Sequence, residues 1–204
     1  QLVEEIAIDI ESNNYSKEAL EDYVEMNATN LPIGLGVTVA YEPYMFDENI
    51  ELYAPYYDRN QQDLVDLAKV YDYTEQDKEH TAWYTNVAIQ KEGQWSRPYF
   101  AKAANMFVVD YGIPIISSET QKLKGVVSIT FSLENFARYV NGLTSGYGFV
   151  ASRELGLILH PRTDYMLNPE LVTAAMDQEP SFLRIKSEES GNFSYYSTYS
   201  YQES

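Results

Sequence analysis

The residues best suited to chemistry crowd into one run, Thr81 to Tyr111, which holds both tryptophans of the chain. Trp83, Tyr84, Trp95, Tyr99, Phe100, Phe107 and Tyr111 are large rings on a polar background, and such a set can wall a pocket. Indole N–H and phenol O–H groups give an apolar wall the polar handles that small-molecule sites need. Any one of these rings, taken singly, belongs more often to a core, so the ensemble carries the argument. Asp110 stands out as a charge inside an otherwise apolar strand, MFVVDYGIPII. Desolvating it is costly unless the carboxylate is paired or touches a ligand. Val108, Asp110 and Gly112 share one side of that strand, and alternation alone leaves open whether that side meets a pocket or solvent.

Signatures of catalysis are missing from the sequence. It has no Gly-x-Ser-x-Gly elbow, no His-Glu-x-x-His, no phosphate loop and no cysteine. Carboxylate pairs such as Glu4 with Glu5 or Asp63 with Asp66 read as exposed helix faces, and nothing singles out an acid and a base. The two histidines, His80 and His160, stand apart, and a lone histidine is no metal site. His80 precedes the Trp-Tyr pair and could border a pocket, whereas His160 reads as structural. No metal and no cofactor is expected. Arg59 and Arg97 are two arginines near the ring-rich run, where they read either as surface ion pairs or as partners for an anionic ligand.

A net charge of −17 over 204 residues, from 31 acidic and 14 basic side chains, repels nucleic acid and anionic lipid head groups. An apolar content of 45% is enough for a real core. No apolar run approaches the roughly 20 residues of a membrane-spanning helix. The chain begins at Gln1 without methionine and ends in a strand-like tract, which suggests a piece of something longer.

The elements that must position these residues follow from periodicity. Val3, Ile6, Ala7 and Ile10 have helical spacing, and Ser16 is a plausible N-cap for a second helix with Ala19, Leu20, Tyr23 and Val24 as its buried stripe. From Gly34 the period drops to two, and two alternating segments up to Arg59 read as a hairpin-like pair. Residues 61–73 read as a short surface helix, and Thr74 with Asp77 resembles a capping box for a helix carrying Trp83 and Tyr84. Three further strands bring the expected total to a five-stranded antiparallel sheet over Gly34 to Leu133: residues 94–100, then 106–116, then 125–133 after a polar turn. Ser132 could cap a connecting helix. The glycines from Gly142 to Gly148 mark a junction, beyond which a hairpin, a helix over residues 169–176 and a tyrosine-rich strand begin a second module.

Four motifs in this order resemble the double Cache sensor domains of bacteria, which are tandem PAS-like modules. They are Trp83 followed by the strand Trp95-x-x-Pro98-Tyr99, the strand with Ile113-Pro114-Ile115, the Gly125-Val126-Val127 strand running into a helix, and the hairpin ending His160-Pro161. The resemblance covers about residues 34–161. It implies an α+β fold with a long N-terminal helix, a PAS-like antiparallel five-stranded sheet flanked by helices, and a second, smaller PAS-like module expected to lack its last strands. The corresponding division is 1–33 for the N-terminal helices, 34–145 for a membrane-distal, ligand-binding module and 146–204 for a partial membrane-proximal one.

The same resemblance implies the extracytoplasmic sensing region of a membrane receptor, on the periplasmic or extracellular side, anchored by flanking helices. The output domain would be that of a histidine kinase, chemoreceptor, cyclase or phosphatase. The sensing region itself is expected to be non-catalytic, and a homodimer stays open as its assembly. Ligand contacts are expected from Tyr53, Tyr57, Trp83, Tyr84, Trp95, Tyr99, Asp110 and Tyr111, in a pocket between sheet and helices. Amino-acid-binding members carry Arg-x-Trp-Tyr and an aspartate in the Gly-Val-Val strand. Thr81 and Thr130 stand at those two positions here, so the expected ligand is a small molecule other than a standard amino acid. Two alternatives are a protein-interaction module for a periplasmic partner, using the tyrosine-rich face, and a carboxylate-dependent hydrolase.

Overall fold

The computed structural model describes residues 2–134 and, beyond them, the backbone of four strands. The chain divides into two compact units, Gln1–Asn135 and Phe136–Ser204. The boundary falls ahead of the glycine-rich junction, and the N-terminal helices belong to the first unit.

Two helices open that unit, as their spacing predicts, in place of the single long helix that the resemblance implies. α1 (Leu2–Ser12) buries Val3, Ile6, Ala7 and Ile10. Asn13 then folds back, donating its side-chain amide to the Asp9 carbonyl at 3.0 Å, and the helix stops. α2 (Lys17–Thr29) restarts with Ser16, whose Oγ accepts from the Ala19 N–H, and it buries Leu20, Val24 and Ala28.

Seven strands, two more than expected, form one antiparallel sheet. They are β1 (Gly36–Tyr41), β2 (Pro55–Asp58), β3 (Asp63–Asp66), β4 (Gln94–Trp95), β5 (Tyr99–Ala101), β6 (Met106–Ile116) and β7 (Leu123–Ser132). The order is β3-β2-β1-β7-β6-β4, with β5 also on β6. One extra strand arises because residues 94–101 pair with β6 in two pieces. The other is β3, at a segment whose apolar spacing suggested a helix. β2 offers it an open edge, Tyr56 pairs with Val65, and the Asp66 carboxylate accepts from the Ala54 and Ala68 N–H groups. Sheet pairing overrides a weak helical signal there, and only a short 3-10 turn, Leu67–Lys69, remains. Asp63 and Asp66 therefore sit on an edge strand and not on a helix face.

The two faces of the sheet carry separate cores. On one, α1 packs on β6 and β7 and α2 on β1 and β2, burying Val37, Val39, Ile115 and Val127 with the helix stripes. On the other, α3 (Ala82–Gln90) covers β6 and β7, with Trp83, Tyr84, Val87, Val108 and Val126 buried among them. Gly112 permits that approach, since a Cβ there would lie 3.0 Å from the Trp83 carbonyl oxygen. The capping box expected at Thr74 does not form. Thr74 bonds the Asp72 carboxylate, Asp77 is left-handed at φ 61°, and α3 starts only after a 3-10 turn, Glu79–Thr81. Ser132 closes β7 opposite Val108, the connecting helix expected to follow begins at Leu133 and Glu134, and its continuation lies outside the described residues.

One side chain enters the sheet itself. Where β1 and the approach to β2 meet, the Tyr41 N–H reaches the Tyr53 carbonyl at 3.1 Å. The reciprocal bond runs through the Tyr73 hydroxyl, which accepts from the Tyr53 N–H at 3.2 Å and donates to the Tyr41 carbonyl at 2.6 Å. Tyr73 is fully buried.

In the second unit β8 (Val150–Ser152) pairs with β9 (Gly156–Leu159), the hairpin expected there, and β10 (Phe182–Lys186) pairs with β11 (Phe193–Ser197) in the tyrosine-rich tract. His160 and the helix expected at 169–176 lie outside the described residues.

Candidate functional site

Strand alternation turns Val108 and Asp110 toward the α3 side, and this answers the question of the Asp110 face. Asp110 is 2% exposed. Its partner across the ladder is Thr130, whose hydroxyl donates to Oδ1 at 2.6 Å. The Tyr99 hydroxyl, brought alongside by the β5–β6 pairing, donates to Oδ2 at 2.6 Å. The Asp110 backbone is fixed as well, its N–H donating to Ser96 Oγ at 2.9 Å. Burial pushes the carboxyl up to about 6, against the hydrogen bonds from Thr130, Tyr99 and Ser128, which favour the charged form. Among the described residues no lysine, arginine or histidine forms an ion pair with it.

Asp110 lies at the floor of a recess of about 430 Å³, counted with the space open at its mouth. Thr38 and Thr130 continue the floor, and Tyr56 on β2 and Leu67 form one wall. Trp83, Tyr71 and His80 form another, and Tyr99 with the turn Ala101–Ala104 closes the rim. The Trp83 indole N–H donates to the Tyr71 hydroxyl at 3.1 Å, and His80 meets the Tyr71 ring edge-on at 5.2 Å. Burial raises the Tyr56, Tyr71 and Tyr99 phenols, so they stay protonated at neutral pH. Behind this wall Tyr73 packs against Trp83 and Tyr84, with ring centroids 6.2 Å and 4.8 Å apart.

Of the eight residues expected at a pocket, Trp83, Tyr99 and Asp110 line this recess. Tyr84 is buried one residue along α3 and donates its hydroxyl to Glu42. Tyr53, Tyr57 and Tyr111 belong to the core on the opposite face, where the Tyr53 hydroxyl donates to Glu21 of α2 at 2.8 Å. Trp95 is 44% exposed and packs on Tyr111 and Phe131. Period-two alternation explains the division, because Tyr57 and Tyr56 must face opposite ways, as must Tyr111 and Asp110. Tyr56, Tyr71 and Lys102 line the recess without having been singled out, and only Tyr56 was reachable, by alternation from Tyr57. Arg97 is exposed, and Arg59 donates to the Gly34 carbonyl at 3.1 Å. Thr81, at the position of the absent arginine, is fully buried, and its hydroxyl donates to the Glu75 carbonyl at 2.6 Å. Among the described residues no cluster of His, Asp and Glu suited to a metal ion occurs, and no helix is long and apolar enough to cross a membrane.

Residues 18–138 match the family model described as methyl-accepting chemotaxis protein-like, first PDC sensor domain. No curated protein sequence matches the chain. Among solved structures, the chain is similar to the extracellular domain of soHK1S-Z6, assigned as a histidine kinase. The TM-score is 0.76 at 19% identity, over 95% of this chain and 77% of that one. It is also similar to the ligand-binding domain of the Pseudomonas aeruginosa amino acid chemoreceptor PctB in complex with L-Arg, with TM-score 0.60 and 19% identity, over 94% and 74%. A third is the sensory domain of the Campylobacter jejuni chemoreceptor Tlp3 with isoleucine bound, with TM-score 0.56 and 13% identity, over 92% and 74%. These neighbours agree with the expected extracytoplasmic location. They overturn the expectation of a ligand other than a standard amino acid, since relatives of this fold hold arginine and isoleucine. That expectation rested on the absence of an arginine at Thr81 and of an acid at Thr130; for the second, the cross-strand neighbour Asp110 presents a carboxylate at the same point of the sheet. The α+β fold and the match over more than half its length make the chain a member of the methyl-accepting chemotaxis protein-like family of PDC sensor domains, of the Cache type.

Proposed function

We propose that the first unit is the extracytoplasmic, ligand-binding module of a signalling receptor, that it takes an amino acid, and that Asp110 holds the ligand's ammonium group. One observation carries the reading: Asp110 is a buried carboxylate in an aromatic-walled recess, held by two hydroxyl donors and unmatched by any cation among the described residues. A buried charge of this kind is costly alone and favourable once an opposite charge arrives. Trp83, Tyr99 and Tyr56 supply an apolar wall with hydroxyl and indole handles. The bound arginine and isoleucine of PctB and Tlp3 support the ligand class. Such a module binds and releases without turnover, and the signal leaves through helices to a separate output domain.

The test is a thermal-shift screen of the twenty standard L-amino acids against the chain. A ligand at a hundredfold excess over Kd stabilises the folded state by about 2.7 kcal/mol. A rise in Tm with at least one amino acid, lost in Trp83→Ala, is the expected result; no response to any of them refutes the reading. The exposed rings of Trp95, Phe100 and Phe107 favour a second reading, a contact face for a partner protein.

A further inference from the structure

We infer that Lys102 recognises the carboxylate of the ligand, so that the recess reads an amino acid from both ends. The inference rests on the amino-acid reading of the site. Of the residues lining the recess, only Lys102 and His80 can carry positive charge. His80 is set edge-on against Tyr71 in the wall, whereas Lys102 is exposed at the rim. Among the described residues Lys102 has neither an ion pair nor a hydrogen bond. The position from which an arginine would reach into the site is closed. Thr81 is fully buried, and its hydroxyl already donates to the Glu75 and Lys78 carbonyls.

The turn carrying Lys102 is well placed for the task. The Ala101–Met106 pairing fixes its two ends, and Asn105 turns the chain with φ 52°. The Gln61 side-chain amide donates to the Ala103 carbonyl at 3.0 Å, tying the turn to the loop between β2 and β3. Along β6, Asp110 lies four residues from Met106, about 13 Å at the rise of a strand. The flexible four-carbon stem of Lys102 and a short zwitterion can close that distance between them, with ammonium on the floor and carboxylate at the rim. An amine lacking the carboxylate would be held at the floor alone.

The experiment takes the strongest amino acid from the twenty-member thermal-shift panel. Calorimetry then measures it and its decarboxylated amine on the wild-type chain, Lys102→Met and Lys102→Arg. The expected result is a tenfold or greater loss of affinity for the amino acid in Lys102→Met, retention in Lys102→Arg, and the same amine affinity in all three proteins. Equal amino-acid affinity in wild type and Lys102→Met overturns the inference while leaving the amino-acid reading in place. Equal losses for the amino acid and the amine also overturn it, because Lys102 would then act through the shape of the rim. Absence of binding by every amino acid overturns both.

Discussion

Replacing Asp110 by asparagine should make the ligand-free domain more stable and deaf to its ligand. The carboxyl moves from 3.8 to about 6 on folding, chiefly through burial. At roughly 1.4 kcal/mol per pKa unit, this amounts to about 3 kcal/mol at most. The acid's folded value lies above its unfolded one, so protonation favours the folded state. That stabilisation is fully present below about pH 4 and is lost as the pH rises through about 6. At pH 7.5 the free domain therefore carries an unrelieved charge. The asparagine side chain would keep the shape without the charge, and reorienting the Tyr99 and Thr130 hydroxyls to suit an amide costs about 1 kcal/mol. The net gain of about 2 kcal/mol raises Tm by roughly 6 °C for a domain of this size. Thermal melts of both proteins from pH 4.5 to 8 should show a gap that is widest above pH 7 and shrinks toward pH 4.5. Amino-acid stabilisation, which needs the ionised carboxylate, should strengthen with pH through about 6 in the wild type and be absent from the variant. A variant less stable than wild type by the same amount at every pH would refute the argument, because Asp110 would then be a structural acceptor and not an uncompensated charge.

Trp83→Ala should cost about 3–5 kcal/mol as a large buried ring is lost and should abolish the response to amino acids. Trp95→Ala, on the other face and half exposed, should leave that response intact in the same thermal-shift assay. In Gly125→Ala the new Cβ would lie 2.2 Å from the Ala40 carbonyl oxygen, inside the β1–β7 ladder. The strands must part, and denaturant unfolding should register a loss of about 3 kcal/mol or more.

The strong signals in the sequence were periodic ones. The α1 and α2 stripes, the Ser16 cap and the long β6–β7 hairpin follow from spacing and turn chemistry, because local preference and burial agree there. Residues 61–73 read wrongly because Leu64, Val65, Leu67 and Ala68 satisfy a helical spacing, while the deciding factor, an open β2 edge, is remote in sequence. The site divides in the same way. Trp83, Tyr99 and Asp110 share a run whose density of rings and one charge within an apolar strand are visible without a fold, whereas the face that Asp110 takes is not. Tyr53, Tyr57 and Tyr111 carry the same chemistry but alternate onto the other face, which composition cannot reveal. Lys102 and Tyr71 sit in turns with no period, so only the assembled sheet brings them to the recess.

The Tyr73 hydroxyl makes one rung of the sheet depend on a side chain from the loop behind the recess. Ordinary rungs are backbone to backbone and answer only to their two strands; this one is a pin that can be drawn. The ring carrying it is packed on Trp83 and Tyr84, and the segment it holds, the approach to β2, carries Tyr53, whose phenol is moored to Glu21 on α2. A shift of the Trp83 wall that carries Tyr73 with it must therefore either break the rung or pull on Tyr53. In the second case the tug crosses the sheet and arrives at α2 on the far side.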